Sequence, residues 1–209
     1  MTIYRIYRAF TSDGHLREPW FFSSTGNTDS GRFDLPAPRG TCYFACSLLG
    51  SWLEVFRGVQ VRDRQDVETR RIAHSLRKSS AIRLGDLASK KSINFKVTLD
   101  VASGDDYTQS QSWADDLEKH QFDGIRALLR HDPSGVEHTI GIFGPSGQST
   151  TPANWQTTST RIEDDALLLD SLRALGGHIV DAPYDIQATK PPIGKTTKKT
   201  SAKSARSRK

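Results

Sequence analysis

The sequence contains few of the residues that build disulfide frameworks, metal centres or membrane spans. It has two cysteines in 209 residues, Cys42 and Cys46, and no third or fourth cysteine to complete a tetrahedral set. Such a pair fits small buried apolar residues better than metal ligands or a disulfide. The longest uncharged run, residues 40–53, is shorter than the roughly 20 residues of a membrane-spanning helix. The first residues lack the apolar segment of an export signal. We therefore expect a soluble cytoplasmic protein with no metal and no membrane contact.

Acidic residues are missing from one part of the chain only, its carboxyl end. Residues 190–209 contain eight Lys or Arg and no Asp or Glu, so residues 1–189 carry 21 basic and 24 acidic side chains. The net charge of +5 therefore comes from the tail. A tail with so little to bury is predicted to be disordered. It could contact nucleic acid weakly and in a salt-sensitive way, or it could serve only as a solubilising end.

The remaining pattern predicts one mixed α+β domain over residues 1–185 and a disordered basic tail over 186–209. The pattern contains no internal repeat, no P-loop and no regular strand–helix–strand alternation, which argues against a doubly wound sheet. Strands are predicted at 2–10, 41–45, 81–87, 93–101, 125–130 and 137–143. Helices are predicted at 47–57, in part of 61–78, at 108–120 and after a capping box at Thr160 and Glu163, and a long loop region at 11–40.

The predicted helix after Tyr43 places a glutamate on an unusual face. At 100° per residue, Glu54 shares its side of the helix with Ser47, Gly50 and Ser51, which are all small. A glycine inside a helix costs about 1 kcal/mol relative to alanine, so Gly50 needs a packing or an access reason. The face could leave room for a ligand at the carboxylate, or it could be a solvated face that is poor in charge.

Several segments in a fixed order resemble the RES family, whose members are commonly toxins of bacterial toxin–antitoxin modules. The resemblance covers roughly residues 3–143 and depends on the order and spacing of all the segments together. The segments are YRIYR, WFFSSTGNTDSGRFDLP, GTCYFACSLLGSWLEVF, DDYTQSQSWADDL, FDGIRALLRHDPSG and IGIFG.

The resemblance implies a fold like that of ADP-ribosyltransferases and an activity on NAD as substrate, with no metal. It also implies an antitoxin partner, expected to be a helix-turn-helix protein. By position, the arginine near the amino end of the family corresponds to Arg5, with Arg8 as the alternative. The remaining matched positions are Arg32, Tyr43, Glu54 and, in place of the family's serine, Thr108 with Gln111 three residues later.

The chemistry of NAD cleavage gives these residue types separate roles. Breaking the nicotinamide–ribose bond develops oxocarbenium character, which a carboxylate such as Glu54 stabilises more in the transition state than in the ground state. Nicotinamide leaves as a neutral group, so no second acid is needed. Arg32 and Arg5 can hold the pyrophosphate through forked hydrogen bonds. The ring of Tyr43 can stack on the cationic nicotinamide.

Each of these residues also has a structural interpretation. Arg32 could only tie down the long loop, Tyr43 could be a core residue, and Thr108 with Gln111 matches a helix-capping box. The acceptor of the ADP-ribosyl group could be water, phosphate or a protein side chain. The alternative to an enzyme is a catalytically degenerate binding module whose tail contacts nucleic acid.

Overall fold

The structure is a computed structural model that describes residues 1–26, 30–58, 61–78 and 81–181. Its strands are Thr2–Arg8 (β1), Trp20–Phe22 (β2), Arg39–Ala45 (β3), Val61–Asp63 (β4), Arg70–Arg77 (β5), Leu84–Asp86 (β6), Gly124–Leu128 (β7), His138–Pro145 (β8), Gly147–Ser149 (β9), Trp155–Arg161 (β10) and His178–Val180 (β11). Its α-helices are Leu48–Phe56 (α1), Arg64–Glu68 (α2), Leu99–Ser103 (α3), Thr108–Lys119 (α4) and Ala166–Ala174 (α5). Two 3-10 helices cover Lys90–Phe95 and Ile162–Asp164.

Seven strands form one sheet in the order β10-β5-β1-β3-β8-β7-β6. All neighbours are antiparallel except β6 and β7, which are parallel. β1 pairs with β5 along its whole length, but it meets β3 at a single registered pair, Tyr4 with Ala45. The two halves of the sheet therefore part beside this pair, and the gap lies next to α1. The mixed α+β fold confirms the expected fold class.

Within the described part of the chain, three apolar clusters pack against the sheet. One surrounds the fully buried Trp20, and its indole Nε1–H donates to Thr157 Oγ1 at 3.0 Å. A second lies under α1 and α5 and includes Trp52 and Phe56. A third lies under α3 and α4 and includes Phe33. Because side chains alternate along a strand, β1 contributes Ile3 to the first cluster and Ile6 to the second, so its two faces have different surroundings.

Several of the predicted elements are confirmed. α1 begins after Ser47, whose hydroxyl accepts the backbone N–H of Gly50 at 2.8 Å, as an N-cap does. Cys42 is fully buried and Cys46 partly buried, and both are free thiols. The helix predicted at 108–120 corresponds to α4, and the strands predicted at 125–130 and 137–143 correspond to β7 and β8.

Other element predictions are wrong. The strand predicted at 93–101 is a 3-10 helix followed by α3, where Ile93 is exposed instead of packed in a sheet. The helix predicted in part of 61–78 is confirmed by the short α2, but the prediction missed the strands β4 and β5 in the same segment. Thr160 lies within β10, so the capping box predicted there does not form; Asp165 caps α5 by accepting the backbone N–H of Leu168 at 2.9 Å.

Two predictions about the ends of the chain remain untested. The basic tail at 186–209 lies outside the described residues, and so does the predicted domain boundary at residue 185.

None of the described helices is long and apolar enough to cross a membrane.

The contact between β7 and β8 leaves no room for a side chain at Gly124. A Cβ there would lie 2.2 Å from the carbonyl oxygen of Gly141, a backbone atom that cannot move without breaking the strand pair. We expect Gly124→Ala to lower the free energy of unfolding by about 1–3 kcal/mol, as overpacking does. Urea unfolding of Gly135→Ala is the control, since a Cβ there has open space and only a strained φ of 69°. Equal losses in both variants would contradict the packing account.

Candidate active site

Helix α1 lies close to β3 because Gly50 carries no side chain. A Cβ at this position would lie 2.8 Å from Glu137 Oε2 and 3.2 Å from the Cβ of Ala45. Ser51 is also buried, and its hydroxyl donates to Leu48 O at 2.7 Å. Packing therefore explains the small residues on this helix face. The same close approach places Glu54, one turn later, at the wall of a cavity.

The cavity has a volume of about 360 Å³ and is open on one side. Glu54, Arg32 and Tyr43 all line it, although they come from a helix, a loop and a strand. The structure thus brings together three residues that the sequence selected separately. The other lining residues are Ser30, Gly31, Phe33, Arg57, Tyr107, Leu128, Arg130, His131 and Thr139.

The Glu54 carboxyl lies in a concave environment that water can still reach. Glu54 as a whole residue is exposed. The protein atoms around its carboxyl group still desolvate it, and this raises the pKa of the carboxyl above the ordinary value. Arg32 and Arg57 oppose this rise, since a nearby cation favours the ionised form. The result is a carboxylate with two cations nearby whose proton is held more tightly than on an ordinary glutamate.

Arg32 is held at the cavity by two contacts. One guanidinium nitrogen donates to Gly104 O at 2.8 Å, and the guanidinium carbon lies 4.8 Å from the ring centroid of Tyr107. Burial lowers the pKa of Arg32, but an arginine remains a cation at all physiological pH values. These contacts use one edge and one face of the guanidinium, so its other donors are available to an anion.

Tyr43 is fixed in its position and remains a neutral phenol. Its hydroxyl donates to Asp34 Oδ1 at 2.8 Å and accepts the backbone N–H of Phe33 at 2.8 Å. Burial, followed by the charge of Asp34 and the hydrogen bond to it, raises the pKa of Tyr43 well above its ordinary value. The ring is therefore a rigid and uncharged surface in the cavity wall.

A second and smaller cavity of about 160 Å³ lies on the other side of Glu54 and Tyr43, which line both cavities. Its other lining residues, from β1, β3 and α1, are Tyr4, Arg5, Ile6, Phe44, Ala45, Ser51 and Val55. This cavity follows the gap between β1 and β3. Glu54 and Tyr43 thus stand between a cavity with several arginines and a more apolar one.

Arg5 lines the smaller cavity together with Glu54, but the contacts of its guanidinium are with other residues. Arg5 donates to Pro19 O at 2.8 Å and to Cys42 Sγ at 2.6 Å, and it lies 5.9 Å from the ring centroid of Phe44. These contacts are on the face of β1 opposite to Ile6 and α1. Arg8, the alternative position, is exposed at the end of β1 and does not line either cavity.

Thr108 and Gln111 line neither of the two cavities. Thr108 is exposed at the start of α4, and its backbone N–H donates to Asp106 Oδ1 at 2.9 Å. The capping-box interpretation of these two residues is wrong, since the helix is preceded by Tyr107 without a side-chain cap. Gln111 Nε2 instead donates to Gly31 O at 3.1 Å, which ties α4 to the loop that carries Arg32.

Three cavity residues escaped the sequence analysis. Arg57 follows Glu54 at helical spacing, and the described residues offer its guanidinium no ion pair. Arg130 pairs with Asp105, and burial together with the neighbouring arginines lowers the pKa of His131. The spacing of Arg57 from Glu54 was a visible signal, whereas Arg130 and His131 reach the cavity only through the folding of β7. The described residues contain no group of three or more His, Cys, Asp or Glu placed to hold a metal ion.

Comparisons with known proteins place the chain in a family and support its fold. The chain is similar in structure to a chain in the crystal structure of the M. tuberculosis MbcT–MbcA toxin–antitoxin complex, with a TM-score of 0.57 and 18% sequence identity. That alignment covers 83% of this chain and 88% of the other. No curated protein sequence matches the chain. The model of the RES domain matches residues 2–165, which include every cavity-lining residue. The chain therefore belongs to the RES domain family.

Proposed function

We propose that this protein is the toxin of a toxin–antitoxin module and that it cleaves the nicotinamide–ribose bond of NAD in the cytoplasm. The observation that carries the proposal is the convergence of Glu54, Arg32 and Tyr43 on one cavity. Membership of the RES family and the likeness to a chain of a toxin–antitoxin complex support it.

The charges around the cavity suit a dinucleotide. Arg32, Arg57 and Arg130 contribute three guanidinium groups, and Glu54 is the only carboxylate among the lining residues that the structure describes. Guanidinium groups bind phosphate oxygens through paired, charge-assisted hydrogen bonds. Arg32 and Arg57 would hold the pyrophosphate, and Gln111 would support the Arg32 loop from the side. Arg5 and Thr108, which the family pattern also marks, would act at the margin of the site.

In the proposed reaction, the bond between ribose C1′ and the nicotinamide nitrogen breaks, and the ring leaves as neutral nicotinamide with the electron pair. The Glu54 carboxylate stabilises the positive charge that develops on the ribose. An oxygen of water or phosphate then bonds to C1′ and loses its proton. The ring of Tyr43 favours the cationic nicotinamide over the neutral product, which assists its release.

The products of NAD distinguish the acceptors. Purified protein would be incubated with NAD labelled in the adenosine part, with and without inorganic phosphate, and the products separated by chromatography. Free nicotinamide with ADP-ribose indicates hydrolysis, and a phosphate-dependent phosphorylated product indicates phosphorolysis. Label on protein from a lysate indicates ADP-ribosylation of a protein. An unchanged NAD pool and unlabelled protein would contradict the proposal and favour a degenerate binding module.

A toxin of this kind needs a partner that blocks it, and a partner that covers the open cavity would keep NAD from reaching Glu54. We propose a cognate antitoxin, a helix-turn-helix protein, that covers this cavity. Co-expression is expected to restore growth, and addition of the antitoxin is expected to stop NAD loss.

The basic tail lies outside the described residues, and we retain for it the predicted weak contact with nucleic acid. The test is salt-dependent binding of nucleic acid that is lost when residues 190–209 are deleted.

The pH dependence of NAD loss should follow the ionisation of Glu54. The carboxylate is the active form, so the rate should rise with pH and reach half its maximum above 4.5, the ordinary value for a glutamate. Arg57 favours the ionised form, so Arg57→Gln should move the midpoint to higher pH. Initial rates between about pH 4 and 8 measure this shift, with Arg39→Gln outside the cavity as control. A midpoint that moves down in Arg57→Gln would contradict the assignment.

A further inference from the structure

Asp34 is a completely buried carboxylate, with 0% of its surface exposed, close to the active cavity. It accepts hydrogen bonds from Ser23 Oγ at 2.6 Å, from the backbone N–H of Gly31 at 2.6 Å and from Tyr43 Oη at 2.8 Å. The described residues offer it no ion pair. A buried charge without a counter-ion is costly, so these three hydrogen bonds must hold it in place.

The first of its links fixes the loop that carries Arg32. The Asp34 carboxylate accepts the N–H of Gly31, and the Asp34 N–H donates back to Gly31 O at 3.3 Å. Arg32 therefore lies inside a short closed turn whose two ends are joined by one side chain and one backbone bond. Gln111 adds a third hydrogen bond to Gly31, which is the second to its carbonyl oxygen. The turn is rigid on both sides of Arg32.

The second link fixes Tyr43 against the same turn. The Tyr43 hydroxyl lies between the Asp34 carboxylate and the N–H of Phe33, and its ring packs on Gly31 so closely that a Cβ there would be 2.6 Å from the hydroxyl oxygen. Neither rotation of the ring nor a larger residue at position 31 is compatible with this arrangement. The Asp34 carboxylate therefore holds both the turn that carries Arg32 and the hydroxyl of Tyr43 in place.

We propose that Asp34 is a positioning residue that sets the placement of Arg32 relative to Tyr43 at the substrate cavity. It acts through these two residues and does not line the cavity itself. The importance of this role for NAD cleavage rests on the proposed function. The link between Asp34 and Tyr43 can be tested without any turnover.

The activity test uses Asp34→Asn with Ser23→Ala as its matched control. An asparagine can still accept the Tyr43 hydroxyl, but its NH₂ group then faces the N–H of Gly31, donor against donor. We expect kcat/KM for NAD to fall about 10- to 100-fold, as for a displaced catalytic group. Ser23→Ala removes one donor and leaves both links, so its loss should be much smaller. Equal activity in Asp34→Asn and wild type overturns the proposal.

Combining the change with Tyr43→Phe separates positioning from general destabilisation. If Asp34 acts through Tyr43, the double variant Asp34→Asn/Tyr43→Phe should lose less than the product of the two single losses. Losses that multiply in full overturn the claim that Asp34 acts through Tyr43.

A spectroscopic test needs no NAD. Besides burial, the charge of Asp34 and its hydrogen bond raise the pKa of Tyr43, to which Glu54 adds. In Asp34→Asn the Tyr43 phenol should ionise at lower pH, seen by ultraviolet absorbance and assigned by difference from Tyr43→Phe. If Asp34→Asn does not fold, Gly31→Ala, whose Cβ displaces the ring from Asp34, should give the same shift. An unchanged titration overturns the proposal. A shifted titration in Asp34→Asn, together with a wild-type protein that leaves NAD intact, supports the positioning role of Asp34 and contradicts the proposed function alone.

Discussion

Glu54→Gln is expected to reduce NAD loss at least about 100-fold, since the substitution removes the only carboxylate that lines the cavity among the described residues. Glutamine keeps the size and the hydrogen-bonding capacity of the side chain but not its charge. Expression of this variant should no longer arrest growth. The measurements are the rate of nicotinamide release and the growth of cells that express each protein.

The fold of Glu54→Gln should be unchanged or slightly more stable. The protein around the Glu54 carboxyl desolvates it and raises its pKa, so the folded state binds its proton more tightly than the unfolded state does. Its contribution to stability is therefore present at low pH and lost as the pH rises through the raised pKa. Glutamine removes the cost of the ionised form, so at neutral pH the melting temperature should not fall. Retained toxicity in a folded variant would contradict the role of Glu54.

Arg32→Gln is expected to give the second large loss, about 100-fold in kcat/KM, because a charge-assisted pair with the pyrophosphate disappears. The loss should appear mainly in KM if Arg32 binds substrate and transition state equally. Arg32→Lys keeps the charge without the planar guanidinium, so its kcat/KM should lie between those of the wild type and Arg32→Gln. Arg39→Gln, whose guanidinium pairs with Glu118 at 2.8 Å outside the cavity, is the control.

Arg32 also acts on Glu54, which gives its removal a second effect. Of the two cations that oppose the rise in the pKa of the Glu54 carboxyl, Arg32 has the larger effect. In Arg32→Gln the pH profile of the remaining activity should therefore move to higher pH. An unshifted profile, or a loss equal to that of Arg39→Gln, would contradict the placement of Arg32 beside the reacting carboxylate.

Local sequence patterns predicted the elements whose signals are complete within a few residues. Ser47 caps α1 by a bond three residues away, and Glu54 is placed by the period of that same helix. The interior strand β5 was missed because only Ile72, Ala73 and Ser75 are fully buried in it. Its arginines make the segment highly charged, which resembles an exposed helix more than a buried strand. Its stability comes from pairing with β1 and β10 on both sides, which no local pattern shows.

The site could be predicted only in part, for a related reason. Arg32, Tyr43 and Glu54 lie within 23 residues, and the family pattern marks them. Asp34 stands in the same short motif, but its role depends on a hydrogen bond to Tyr43 that forms only in the fold. Likewise, the position of Arg5 was recognised but its orientation was not, since the pairing of β1 decides which face its guanidinium takes.

The most direct test of the account is the concentration of NAD over time with purified wild-type protein beside Glu54→Gln, with and without inorganic phosphate. We predict that NAD is lost only with the wild type and that free nicotinamide appears in equal amount. Loss of NAD at the same rate with both proteins, or with neither, would contradict the central claim that the Glu54 carboxylate breaks the nicotinamide–ribose bond.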